Sequence, residues 1–470
     1  MSNARQDGLL DGIFGRGAAG TGDDAWLQAM LDVEAALARA AERAGVAGPG
    51  AGAAVTAVAV ANQFDAAELG RQAVLTGNPV PALVRALAGK VPAAAAGAVH
   101  PGATSQDIID TALMLLARRL LDQVLANLAA AARSAADLAV RYRDTVMIGR
   151  TLLQQAVPVT FGLVAAGWLT AIDEAWAQLA RVRTQRLAIQ FGGAAGTLAA
   201  LGDAGPRVAA LLSAELGLAL PVLPWHTDRL RIVELAAALA GSAAVAGKIA
   251  RDITLLAQTE IAEVSEGEIS SADGGRSGGS SAMPNKRNPV MAITILGCTR
   301  QVPGLLATLA ASAEQEHQRA AGAWHAEWEP LTGLLRLAGS AAAWTAELLA
   351  SLQPDPARMR ANLDAAGGQP MAEQITGLLA PTLGRLAAHD LVAAASAAAV
   401  RTGRPLGDVL LHETPFAGLL TDAGVDRAQV DAALDPAGYL GSAAHFIEAA
   451  LNAHHRPSPP ETRPAETPPS

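Results

Sequence analysis

One cysteine, Cys298, in a chain of 470 residues leaves no partner for an internal disulfide and suits a reducing cytoplasm. Aromatic residues are nearly as scarce, at 3%, so alanine and leucine must fill a core drawn from a hydrophobic content of 51%. Alanine is the strongest intrinsic helix former, and the imbalance therefore points to an all-α fold. Runs with the β-branched alternation of strands are few. Positive charge is not in excess either: a net charge of −9 and a pI near 5.5 exclude the basic footprint of a nucleic-acid binder. The first twenty residues lack a charged start followed by an apolar run, so no secretory signal is expected.

Chemistry-bearing patterns are missing as well. There is no His-Glu-x-x-His, no cysteine pair and no carboxylate cluster with metal spacing. The glycines before Lys286 lack the Gly-Lys-Ser/Thr order of a phosphate loop. Neither a metal nor any other cofactor is expected. Residues 151–172 carry no charge and are long enough for a membrane span, but Gln154, Gln155 and Pro158 interrupt them. The expectation is a helix buried on all sides, within a core or a subunit interface, and no membrane.

Helical periodicity dominates what is present. Leu113, Leu116, Leu120, Val124 and Leu128 recur in steps of three and four and line one helix face. Long helices are expected over 107–142, 155–191 and 229–266, with another from Val290. Gln353-Pro354-Asp355-Pro356 punctuates the pattern. The expected organisation is an N-terminal helical domain over 1–105, a central long-helix bundle over 106–352 and a C-terminal helical domain over 353–455. The tail, 456–470, is rich in Pro, Glu, Thr and Ser and is expected to be disordered.

The segment 274–289, Gly-Gly-Arg-Ser-Gly-Gly-Ser-Ser-Ala-Met-Pro-Asn-Lys-Arg-Asn-Pro, is the most informative. Its glycines permit tight turns that present Ser280 and Ser281, with the Lys286 ammonium and Asn288 close behind. Hydroxyl, cation and hinge together suit proton transfer beside a carboxylate; a plain Gly/Ser linker would not carry the rigid or apolar Met283, Pro284 and Pro289. His100-Pro101-Gly102-Ala103-Thr104-Ser105-Gln106-Asp107 opens a helix, where Thr104 or Ser105 serves as cap and free amides can hold a carboxylate. Arg150, at the edge of the uncharged stretch, needs an anion, either an internal carboxylate or a substrate. Trp225 and His226 precede another helix start at Thr227 or Asp228. The charge in 316–329, including His317 and Arg319, reads as a solvated helix face, and Trp324 and Trp328 read as packing.

The loop Gly279–Pro289, the Thr104-Ser105-Gln106-Asp107 helix start and Gly149-Arg150-Thr151 together resemble the three site regions of the fumarase/aspartase superfamily. Within it, His100–Asp107, Gly149–Trp168, Pro224–Thr227, Trp324–Trp328 and Asp435–Leu440 are most similar to the bacterial 3-carboxy-cis,cis-muconate cycloisomerases. The resemblance implies a three-domain all-helical subunit, a homotetramer whose active sites each combine three chains, and a small polycarboxylate substrate. It assigns proton transfer to Ser280 and carboxylate stabilisation to Lys286 and Asn288. Thr104, Ser105 and Arg319 would hold other carboxylates, with His100, Arg150, Gln154, His226, Ser281 and Met283 lining the site. One departure bears on the reaction. Superfamily lyases that release fumarate carry a histidine after the Arg-Thr pair, where this chain has Leu152; many cycloisomerases have tryptophan there and a histidine three residues on, where it has Gln155. That argues against the alternative of an adenylosuccinate- or argininosuccinate-type lyase, whose nitrogen leaving group needs an acid.

Overall fold

The computed structural model describes residues 9–17, 20–267, 278–279, 283 and 286–455. Five helices of more than twenty residues dominate them: α1 (Asp23–Arg43), α2 (Ser105–Arg141), α3 (Phe161–Gln185), α4 (Leu230–Leu256) and α5 (Trp328–Ser351). The strands form only two small antiparallel pairs among the described residues. The fold is all-α, as the alanine excess implies. Ala29, Ala36, Ala38, Ala40 and Ala41 of α1 are all fully buried, and such small side chains let neighbouring elements approach closely. The stripe read along α2 is its inward face: Leu113, Leu116, Leu120, Val124 and Leu128 are all buried.

The expectation for 151–172 needs correcting. Its first part is a hairpin, β1 (Val146–Thr151) paired with β2 (Gln154–Thr160), and α3 begins only at Phe161. Val157, Pro158, Val159 and Thr160 suit a two-stranded ladder better than a helix, because β-branched side chains crowd a helical turn and proline lacks its amide donor. The register shifts between Ile148 and Arg150, and a side chain at the intervening Gly149 would lie 2.6 Å from the Val157 carbonyl oxygen. Glycine is therefore required there. Leu152 and Leu153 make the tip with φ of 51° and 65°, and both are exposed, Leu152 at 96%.

Three of the fifteen aromatic residues pack together. Phe161 meets Tyr142 and Trp168 edge-on at 5.5 and 5.8 Å, and the Trp168 indole donates to Asp252 at 2.8 Å. Each such ring pair adds about 0.5–1.5 kcal/mol beyond the area it buries.

The chain divides into two compact units. One comprises Met1–Ala130, Glu174–Arg251 and Val290–Glu347; the other comprises Ala131–Asp173, Asp252–Pro289 and Leu348–Ser470. In the second, Gln353–Pro354 pairs with Val264–Ser265, and Asp355 caps the helix Pro356–Ala365 by accepting the Arg358 amide at 2.9 Å. Beyond it, Ile375, Leu379, Leu406, Val409 and Leu410 form a fully buried cluster. In the first unit, Cys298 is fully buried in the helix Val290–Thr299. The segment Val290–Ala311 has the length and hydropathy of a span, yet only 28% of its most apolar window is buried within the chain.

Candidate active site

The start of α2 is organised by Asp107, which is 1% exposed. Its carboxylate accepts the Thr104 amide at 3.1 Å, the Gly192 and Gly193 amides at 3.1 and 2.9 Å, and lies 2.7 Å from His226 Nε2. The Thr104 contact is the backward half of a capping box. The His226 ring is buried and engaged with this carboxylate, whereas Thr104 and Ser105 are half-buried at the helix mouth.

One turn further on, Asp110 joins a buried ion network. Both Arg229 and Asp110 are 1% exposed, as is Glu327. Arg229 donates to Asp110 at 2.7 and 3.1 Å and to Glu327 at 2.6, 3.0 and 3.2 Å, and lies over the Trp225 ring at 4.8 Å. The Trp324 indole donates to Asp110, and Gln315 to Glu327. The charge in 316–329 is thus not all a solvated face: Glu327 points into the core, because a buried guanidinium needs carboxylates around it. Burial works against the Arg229 charge, but Asp110 and Glu327 outweigh it and hold the proton more firmly than usual. Burial, aided by Asp110, pushes the Glu327 carboxyl above its ordinary range in spite of Arg229.

Arg319 is placed differently. It donates to the Gln106 side-chain oxygen at 3.1 Å and to the Gly193 and Ala194 carbonyls at 2.6 and 3.2 Å, and its buried Nε has no partner among the described residues. Among the described residues no carboxylate bonds to this half-buried cation. Burial lowers its pKa, and the charges of Asp107 and Asp110 only partly offset that. His100, four residues before Thr104, is held by Glu34 of α1 at both its backbone amide and its ring.

The remaining sequence-derived residues lie in the second unit. Arg150 forms a two-pronged bond to Glu263, with both contacts at 2.8 Å and Glu263 fully buried; Asn362 adds a further donor to Glu263 at 2.9 Å. Of the two anions open to Arg150, the internal carboxylate is present. Gln154 sits exposed beside the hairpin tip. The signature segment 274–289 is pinned at its base, where Gly279 bridges Arg287 and the Asn288 amide donates to the Gly278 carbonyl at 2.8 Å. Gly278 has φ of +77°, and a side chain there would meet the Asn288 carbonyl oxygen at 2.6 Å. Lys286 and Met283 are exposed beyond this base, with the Lys286 amide bonded to the Met283 carbonyl at 3.1 Å. Ser280 and Ser281 lie outside the described residues, as does the tail 456–470.

Within the first unit the fold therefore gathers His100, Thr104, Ser105, His226 and Arg319 around one helix start. Sequence reasoning missed Glu34, Asp110, Arg229, Glu263 and Glu327. A signal existed for Glu34, which falls in the apolar phase of α1 with Leu27, Leu31 and Leu37.

Residues 16–304 match the family model described as Lyase, and residues 368–450 match the one described as Adenylosuccinate lyase C-terminus. A 3-carboxy-cis,cis-muconate cycloisomerase of Bradyrhizobium diazoefficiens is 45% identical, over 92% of this chain and 95% of its own. A nitrosuccinate lyase of Streptomyces davaonensis is 43% identical over 94% and 93% of the two chains. The crystal structure of a 3-carboxy-cis,cis-muconate lactonizing enzyme from Pseudomonas putida superposes with a TM-score of 0.86 at 40% identity, covering 95% of this chain and 99% of that one.

Proposed function

We propose that this chain, which belongs to the lyase family of the fumarase/aspartase superfamily, converts 3-carboxy-cis,cis-muconate to 4-carboxymuconolactone, a step in protocatechuate breakdown. The observation that carries the reading is Arg319, a half-buried guanidinium that among the described residues meets only neutral oxygens, beside a helix start bearing two hydroxyls. A site of this kind calls for an anion, and a tricarboxylate supplies several.

Bonds are made and broken within one molecule except for a single proton, which Ser280 gives up and regains from solvent before the next turnover. A carboxylate oxygen of the substrate adds to the conjugated double bond, and the electron pair moves towards the carbon beside a second carboxylate. Ser280 delivers a proton to that carbon. Nucleophile and acceptor are already joined, so holding the diene bent supplies much of the rate. The charge that builds on the accepting carboxylate is met by Lys286, Asn288 and the loop amides. Serine needs a nearby cation and exclusion of water to act as acid, and a glycine-hinged loop closing over substrate provides both. Thr104, Ser105 and Arg319 hold the other carboxylates; His100, Arg150, Gln154, His226, Ser281 and Met283 complete the lining.

The reading includes a cytoplasmic homotetramer of three-domain subunits with active sites shared between chains. The largely uncovered apolar helices of Val290–Ala311 and the exposed Leu152–Leu153 tip support an oligomer. Lys286→Met is expected to raise KM by about tenfold or more and to lower kcat as well, because a charge-assisted contact is lost in both ground and transition states.

A second reading is favoured by one residue. Leu152 stands where a histidine acid would serve a basic amine leaving group, but nitrite is a weak base and leaves without one, so elimination from nitrosuccinate is chemically open to this site. Incubation with each substrate decides between them. Loss of diene absorbance with lactone as product supports the cycloisomerase, whereas fumarate and nitrite from nitrosuccinate, without lactone, would overturn it.

A further inference from the structure

We propose that Glu34 is a positioning residue: from inside the core it fixes the His100 ring so that Nε2 is the nitrogen presented to a substrate carboxylate. This rests on the placement of His100 in the substrate site.

The Glu34 side chain is fully buried on the inward face of α1, among apolar neighbours. A carboxylate in such a place is costly unless its oxygens are used. Both are used, and both by one residue. Oε1 lies 2.7 Å from His100 Nδ1, and Oε2 accepts the His100 backbone amide at 3.0 Å. His100 itself has φ of 58°, a left-handed conformation that side chains rarely adopt and that neighbours must impose. Held at both amide and ring, it can neither relax the backbone nor turn the imidazole.

With Nδ1 committed to Glu34, the proton assignment follows as it does for a carboxylate-oriented histidine elsewhere. Nδ1 donates inward, and Nε2 has no partner among the described residues; the side chain is 18% exposed, enough for a ligand to reach it. Burial disfavours a charged ring, but the Glu34 bond and charge, with a smaller contribution from Asp107, outweigh it and raise the pKa above its ordinary value. Among the described residues these two carboxylates, one on α1 and one on α2, are the charged groups acting on the ring. The sign is then fixed. The charged pair is present below the ordinary histidine pKa and is lost as pH rises through the raised one, so Nε2–H donation to a carboxylate fades on the alkaline side.

The test uses Glu34→Gln and His100→Asn in the full-length enzyme, singly and together. Its readouts are kcat, KM, the pH profile of kcat/KM, and calorimetric binding of the saturated tricarboxylate tricarballylate, which needs no turnover. Glu34→Gln should raise KM and the tricarballylate Kd by about tenfold with kcat changed by less than about threefold, and should move the alkaline limb to lower pH. In the His100→Asn background it should cost nothing further. Wild-type binding and an unmoved limb in Glu34→Gln would overturn the proposal. So would equal damage with and without His100, the mark of a packing role, or unchanged binding in His100→Asn, which removes the premise. Should Glu34→Gln not fold, Glu34→Asp keeps the charge on a shorter arm and must show the same changes in weaker form. Failure of the reaction assignment appears separately, as absence of lactone from the wild-type enzyme, and leaves the calorimetry to decide the role of Glu34.

Discussion

Replacing Ser280 with alanine is expected to lower kcat by about a thousandfold, within the range that a positioned proton donor supplies. The loss should fall on turnover and spare KM. Removing one hydroxyl takes nothing from the carboxylate contacts assigned to Arg319, Thr104 and Ser105, so ground-state binding stays. Steady-state kinetics on 3-carboxymuconate, with circular dichroism and size-exclusion chromatography to verify the assembly, separate this from a folding defect. A Ser280→Ala enzyme with full turnover would remove the serine from the mechanism and leave the loop only a binding role.

Arg229→Met should be the most destabilising single change in the first unit. The guanidinium holds two buried carboxylates, and methionine fills much of its volume while offering neither charge nor donor. Among the described residues Asp110 would keep only the Gln106 and Trp324 donors, and Glu327 only Gln315. Breaking a buried pair by removing one partner costs roughly 3–5 kcal/mol, and two acids facing each other across the gap place this variant at the upper end. Denaturant unfolding monitored by tryptophan fluorescence reads the effect. A loss below about 1 kcal/mol would mean that the two carboxylates take up protons at little cost, contrary to the role given to the network. Because Gln106 bridges Asp110 and Arg319, surviving protein should also bind tricarboxylates less well.

The helices were legible because a buried stripe repeats at the helical step, as Leu113 to Leu128 do along α2. The hairpin was not, since an uncharged stretch has the same composition whether it is a buried helix or the approach to one. Only the short Val157–Thr160 alternation marked the difference, and Pro158 should have counted against a helix from Gln155. The same asymmetry runs through the site. Thr104, Ser105, Lys286, Asn288 and Arg319 stand in recognisable motifs, whereas the supporting acids are remote in sequence, Glu34 and Asp110 on long helices and Glu263 in the loop after α4. Glu34 lies 66 residues from His100, Asp110 lies 119 from Arg229 and Glu263 lies 113 from Arg150. Pairings over such separations are set by packing, and local pattern carries no record of them.

The sealed position of Cys298 has a practical outcome. Its thiol is fully buried, and that burial raises its pKa, so little reactive thiolate forms at neutral pH. The natural chain therefore gives a dark background to maleimide dyes. A cysteine placed at exposed Met283 would carry the only maleimide dye, and its emission could report substrate binding near that position, without first stripping native thiols from the chain.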